Sequence, residues 1–194
     1  GVLVAQAGSD NRFLGRIDLH LRNGRIVGKK GVLIDLGRTT EEDAGIKALV
    51  AGFQQSPALA RVVVRAPFEI GGKDALGSLM SDAIRWAHGL DVAFQNNGGI
   101  RLNRLPQSIT LKDVYTLEPF GNPVVRFDMT PAEIRSLVRS SFERNGTIDL
   151  QVSGLLYEVR TDAEKRVRDV RLRLPDGSPL AEDRTYTVGL SSYI

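Results

Sequence analysis

Residues 74–101 read DALGSLMSDAIRWAHGLDVAFQNNGGIR, and a change of period inside them decides the fold. Leu76, Leu79, Met80, Ala83 and Ile84 recur at i, i+3, i+4, i+7 and i+8, and Ala87 extends the row. That spacing predicts a helix with one buried face, capped by Asp74 and closed by Gly89. After Gly89 the pattern shortens to DVAFQNN, a strand signal, and upstream ARVVVRAPFEI (60–70) is another. Strand, helix and strand in succession predict one parallel crossover.

Working outward towards the C-terminus, LKDVYTL predicts a short helix and VVRFDM a strand. A helix should then start at Pro131, with Thr130 as N-cap and Glu133 completing a capping box. LLYEVRT, VRDVRLRL and YTVGLSS follow as strands, so the expected class is α/β with a mixed, partly antiparallel sheet. Towards the N-terminus, VLVAQAG, FLGRIDLHLR and RIVGKKGVLIDL read as strands, with Asn23-Gly24 as a hairpin turn. Between the two regions, Ile46, Leu49, Val50 and Phe53 form one stripe of a linker helix. Thr39 or Thr40 is its expected N-cap, Glu41, Glu42 and Asp43 its acidic first turn, and Pro57 its end.

The 194 residues are 42% hydrophobic, enough for a real core. Lys plus Arg number 26 against 23 acidic residues, with no polybasic run or basic stripe interleaved with aromatics, so a nucleic-acid partner is not expected. The lack of cysteine removes disulfides, thiol nucleophiles and thiolate metal sites. No apolar run approaches the length of a membrane span, and no signal-peptide pattern is present. The strand-like opening GVLVAQAG leads us to expect that the sequence starts inside a longer protein.

Two loops carry candidate chemistry. In Asn96-Asn97-Gly98-Gly99-Ile100-Arg101, the glycines permit φ > 0 and close backbone approach to a ligand, and Arg101 offers a planar fork of donors. An ordinary strand-ending turn with a solvated arginine has the same residues. In LEPFGNP (117–123), Phe120 stands between Pro119 and Gly121 and cannot easily reach a core; an exposed ring there suits stacking, although loop aromatics also fold back. The two histidines, His20 and His88, have no ligand partner at helical or strand spacing, so no dinuclear metal centre is expected in this chain. No G-x-S-x-G, H-E-x-x-H or P-loop occurs. Asp74 and Asp82, two turns apart on one helix, are explained by capping and a buried hydrogen bond without catalysis.

KDALGSLMSDAIRWA, DVAFQNNGGIR, ITLKDVYTLEPFGNPVVRFDMTPAEIRSLV and LQVSGLLYEV, in that order, resemble the C-terminal domain of the bacterial and animal 5′-nucleotidase family. GVLVAQAGSDNRFLGRIDLHL resembles the last strands of the family's N-terminal metallophosphoesterase domain. The resemblance implies three parts. Residues 1–36 would be terminal strands of that domain, 37–57 a linker helix, and 58–194 the substrate-binding domain, ending before its final segment.

The parent would be a metal-dependent phosphoric ester hydrolase releasing phosphate from nucleotides. Two divalent metal ions would sit in the N-terminal domain and none in this chain, which alone would be inactive. The partners implied are a nucleotide or nucleoside and the N-terminal domain, and the setting periplasmic or secreted. The family's Asn-x-Gly-Gly-x-Arg loop carries over to Asn96, Gly98, Gly99 and Arg101, its stacking aromatic to Phe120, and a polar neighbour to Asn122. Gly72-Lys73 stand where the family has an Arg-Glu pair, so Lys73 is the candidate for the cationic contact. A second stacking Phe and a ribose-binding Asp would lie beyond Ile194. Related enzymes acting on cyclic nucleotides, UDP-sugars or a sulfur-oxyanion adduct remain alternatives, as does a non-catalytic nucleotide-binding or adhesion module.

Overall fold

The computed structural model describes residues 4–9, 12–37, 41–54 and 56–194, which divide into two units, 1–55 and 56–194. In the first unit, β1 (Phe13–Arg22) and β2 (Arg25–Asp35) pair antiparallel from Phe13↔Asp35 to Arg22↔Arg25. Asn23 (φ 49°) and Gly24 (φ 73°) both take positive φ, the conformation a two-residue turn needs to match strand twist. The expected first strand is absent over residues 4–8, and its start lies outside the described residues. Helix α1 (Ala44–Gln54) begins later than expected: the Asp43 carboxylate accepts the Ile46 N–H at 2.8 Å, the bond an N-cap makes, while Thr39 and Thr40 lie outside the described residues. Its stripe Ile46, Leu49, Val50 and Phe53 is exposed, and no described residue of this unit is buried.

The second unit opens with α2 (Pro57–Ala60), so Pro57 starts a helical turn at N1. Then come β3 (Val62–Arg65), β4 (Ile70–Gly71), α3 (Lys73–His88), β5 (Val92–Asn96), β6 (Arg104–Leu105), β7 (Ser108–Thr110) and α4 (Leu111–Leu117). The chain continues through β8 (Val124–Met129), α5 (Pro131–Asn145), β9 (Leu150–Ser153), β10 (Leu156–Thr161), β11 (Val167–Arg173) and β12 (Tyr186–Ser191). Four strands form the mixed sheet β8-β12-β5-β9, in which only β12 and β5 are parallel.

The expected crossover is replaced by a different connection. ARVVVRAPFEI splits around Pro67, which has no N–H for a ladder, into β3 and β4, and these pair with β7 and β6 away from the main sheet. The parallel neighbour of β5 is instead β12, almost a hundred residues later, in register Val188↔Val92. Asp91 staples that pair: its carboxylate accepts the Thr187 N–H at 2.8 Å and the Thr187 hydroxyl at 3.0 Å, and Arg184 Nη2 at 3.3 Å. Burial pushes this carboxyl up, but the Thr187 hydrogen bonds and the Arg184 charge outweigh it and leave its pKa below the ordinary value.

α3 also departs from expectation. Its N-cap is Gly72 (φ 87°), and Asp74 accepts a hydrogen bond from Gln151 Nε2 at 3.1 Å instead. The buried residues are Leu76, Gly77 and Ser81, with Met80 and Ile84 partly buried; Leu79, Ala83 and Ala87 face solvent. Small residues set this rotation. A Cβ on Gly77 would lie 2.1 Å from Gln151 Cγ, so only glycine lets the helix come this close to β9, and the Ser81 hydroxyl is satisfied by Gly77 O at 2.7 Å. Asp82 accepts a hydrogen bond from the Ser153 hydroxyl across the same contact. On the other face of the sheet, α5 and the β10–β11 hairpin close a core around Phe94, Ile134, Val138 and Val170. α5 has the expected capping box, with Thr130 Oγ1 accepting from Glu133 N at 3.3 Å and the Glu133 carboxylate accepting from Thr130 N at 2.8 Å. No helix among the described residues is long and apolar enough to cross a membrane.

Candidate functional site

Every residue of β5 is buried, and the strand delivers its last residue, Asn96, to a tight turn over Asn97–Gly99. Neither Gly98 nor Gly99 takes positive φ, contrary to expectation. What the turn requires is room: a Cβ on Gly99 would stand 2.3 Å from Gln95 Nε2 and 3.0 Å from Asn96 Oδ1, and one on Gly98 3.1 Å from Asn96 Nδ2.

Asn97 holds the turn. Its N–H reaches Asp149 O at 2.8 Å, its Nδ2 donates to Ile148 O at 3.1 Å, and its Oδ1 accepts from Gln151 Nε2 at 3.0 Å. Asn96 is 8% exposed; its Oδ1 accepts from Gln95 Nε2 at 3.3 Å, which leaves its Nδ2 as the donor with no protein partner among the described residues. The Arg101 N–H bonds Leu117 O at 2.9 Å and so ties the loop to the end of α4, while its guanidinium carbon lies 5.7 Å from the centroid of the Phe120 ring.

The loop after α4 is shaped by Gly121 (φ 62°), whose N–H donates to the Glu118 carboxylate at 3.1 Å. Phe120 stays 54% exposed at its tip. Ser192 N donates to Pro123 O at 2.9 Å, bringing the residues after β12 alongside. Asn96, Gly98, Gly99, Arg101, Phe120 and Asn122 all line one cavity of about 520 Å³. Lys73 is not in its wall. Its ammonium donates to Asn97 O at 2.9 Å and to Ile100 O at 2.8 Å, behind the turn.

Sequence reasoning missed the rest of the lining. Tyr193, 75% exposed, shares the cavity with Phe120, and its signal was a lone aromatic just past a strand end. Ser140, Ser141 and Arg144 enter from α5, where they read as an ordinary polar helix face. Two guanidinium groups, Arg101 and Arg144, and two carboxylates, Glu118 and Asp149, give the wall both signs of charge. Behind it, burial and the charge of Asp149 push the Tyr157 hydroxyl up to about 12, so it stays a neutral donor to Leu150 O.

The residues present do not fit a metal centre. Among the described residues no group of three or more His, Asp or Glu side chains converges, and His20 and His88 are both exposed. The wall offers hydrogen-bond donors, both signs of charge and two aromatic rings.

A mixed sheet with one of its inner strands ending at an aromatic-rimmed polar cavity defines the second unit as an α/β domain. The chain belongs to a known family: the family model described as 5′-nucleotidase, C-terminal domain, matches residues 57–194. A probable 5′-nucleotidase from Treponema pallidum is 32% identical over 129 residues, covering 60% of this chain and 22% of that protein. Endonuclease YhcR from Bacillus subtilis is 25% identical over 206 residues, covering 100% of this chain and 17% of the endonuclease. The crystal structure of a 5′-nucleotidase precursor from Thermus thermophilus is similar with a TM-score of 0.64 and 30% identity, over 94% of this chain and 40% of that one. The chain therefore spans less than half the length of each of these relatives.

Proposed function

We propose that this chain is the substrate-binding part of a 5′-nucleotidase-like hydrolase and grips the nucleoside portion of a nucleotide. The observation that carries the reading is the convergence of the Asn96–Arg101 loop and the Phe120 loop on one cavity. In it, the base would lie against the exposed Phe120 ring, with Tyr193 on the same cavity available to the other face. Asn96 Nδ2 and the Arg101 guanidinium would donate to the sugar or phosphate, and Asn122 would be the polar neighbour of the base.

Residues 1–36 are proposed to belong to a metallophosphoesterase domain. That origin accounts for a hairpin whose apolar residues, among them Leu21 and Val27, are exposed, since an isolated two-stranded hairpin is marginal in water. The same domain would carry the ligands for two divalent metal ions, and the parent would be periplasmic or secreted.

Two measurements test the reading. Titrating adenosine into the chain should show saturable binding, and Phe120→Ala should weaken it by about 1–3 kcal/mol, the usual value of one base–aromatic stack. Equal affinity in the variant would remove the base from the Phe120 ring. The chain supplied with divalent metal and a nucleoside monophosphate should release no phosphate; turnover that survives removal of contaminating phosphatases would show that the chemistry resides here after all.

A further inference from the structure

Lys73 stands where its charge is poorly served by its own helix. It is the first residue of α3, just after Gly72, at the positive end of the helix dipole. Its ammonium forms no ion pair with a carboxylate among the described residues. It has two carbonyl partners instead, Asn97 O at 2.9 Å and Ile100 O at 2.8 Å.

Those two carbonyls mark the two ends of one turn, closed by the Ile100 N–H to Asn97 O bond at 3.2 Å. Between them lie Gly98 and Gly99, the two residues of the loop with most backbone freedom to lose. From the other side Gln151 Nε2 holds Asn97 Oδ1 at 3.0 Å and Asp74 Oδ1 at 3.1 Å. The turn is therefore clamped twice, by a side chain of α3 and by one of β9. The residues immediately flanking the clamped segment are Asn96 and Arg101, both in the cavity wall.

We propose that Lys73 is a positioning residue: by binding the carbonyls of Asn97 and Ile100 it holds the turn that aims Asn96 and Arg101 into the cavity, without itself touching the ligand. This inference rests on the nucleoside-binding reading. It differs from the expectation that Lys73 is a cationic substrate contact, and where that contact would be to the charged phosphate the two differ in a measurable way. A phosphate contact matters only to a phosphorylated ligand, whereas a misplaced turn weakens a nucleoside and its monophosphate alike.

The test uses the 194-residue chain with Lys73→Met and Lys73→Arg, titrated with adenosine and with adenosine 5′-monophosphate. Lys73→Met should weaken both ligands by the same factor, about tenfold for the loss of charge-assisted hydrogen bonds. Hydrogen exchange at the amides of residues 98–101 should speed up in the ligand-free variant, and Lys73→Arg should keep most of the affinity. Lys73 is exposed, so the melting temperature should move little; should Lys73→Met not fold, Lys73→Gln carries the same comparison. A loss confined to the monophosphate, or unchanged affinity and exchange, overturns the proposal while leaving the nucleoside reading in place. Absence of adenosine binding by the unsubstituted chain overturns that reading and this proposal together.

Discussion

Gly154→Ala should destabilise the second unit by roughly 2–5 kcal/mol, the upper end of which is at the extreme of single substitutions. Two costs add. Gly154 sits between β9 and β10 at φ 88°, a conformation that costs an alanine about 1–2 kcal/mol. The alanine methyl would then stand 2.0 Å from the Asp91 carbonyl oxygen and 2.8 Å from Arg85 Nε, which itself donates to that oxygen at 3.2 Å. The obstacle is backbone at the entry to β5, so relief means moving the strand and loosening the Asp91–Thr187 staple, an overpacking cost of about 1–3 kcal/mol. Urea unfolding gives the total. Gly177→Ala separates the terms, because Gly177 also has positive φ (86°) but open space around its missing Cβ, so it should lose only the conformational part. Equal losses at the two positions would mean that the close approach to Asp91 is not a constraint.

The contrast between these glycines shows what a sequence can and cannot disclose here. Features decided within a few residues were legible. The Thr130–Glu133 capping box, the Asn23-Gly24 turn, α4 over LKDVYTL and β8 over VVRFDM are all where local chemistry puts them. Features decided by what lies across the fold were not. The buried face of α3 was read only in part: Leu76 is buried and Met80 and Ile84 partly so, but Leu79, Ala83 and Ala87 are exposed, and the helix also packs through Gly77 and Ser81, whose small size matters only beside Gln151. The pairing of β5 with β12 is a long-range choice that no local pattern records.

The site divides along the same line. Two loops with unusual local composition were singled out, and Asn96, Gly98, Gly99, Arg101, Phe120 and Asn122 from them border one cavity. The α5 wall was invisible, since Ser140, Ser141 and Arg144 look like any solvated helix face until Leu137 and Val138 fix how the helix is turned. Lys73 was chosen for its charge, and only the fold shows that the charge is directed at two carbonyls.

Phe94→Ala should cost about 3–5 kcal/mol, the range for emptying a buried aromatic site. Phe94 has no exposed surface, pairs with Leu190 on β12 and Val152 on β9, and packs in the core that includes Ile134 and Val138 of α5. It therefore joins the strand that ends in Asn96 to a helix that also lines the cavity. Neighbours on both sides are held by hydrogen-bonded strands and cannot collapse inward, so the void should persist and the loss fall in the upper half of that range. For a unit of this size the melting temperature should drop by roughly 10 °C or more. Ligand linkage then tests the site at the same time: adenosine at about a hundred times its dissociation constant should return about 2.7 kcal/mol to either protein if the variant still folds to the same cavity. Thermal unfolding of both proteins with and without adenosine provides the comparison. A drop of only a few degrees would contradict the tight packing around Phe94. A normal drop with no recovery on adding adenosine, in a variant whose parent does recover, would show instead that the β5–α5 contact shapes the cavity as well as supporting it.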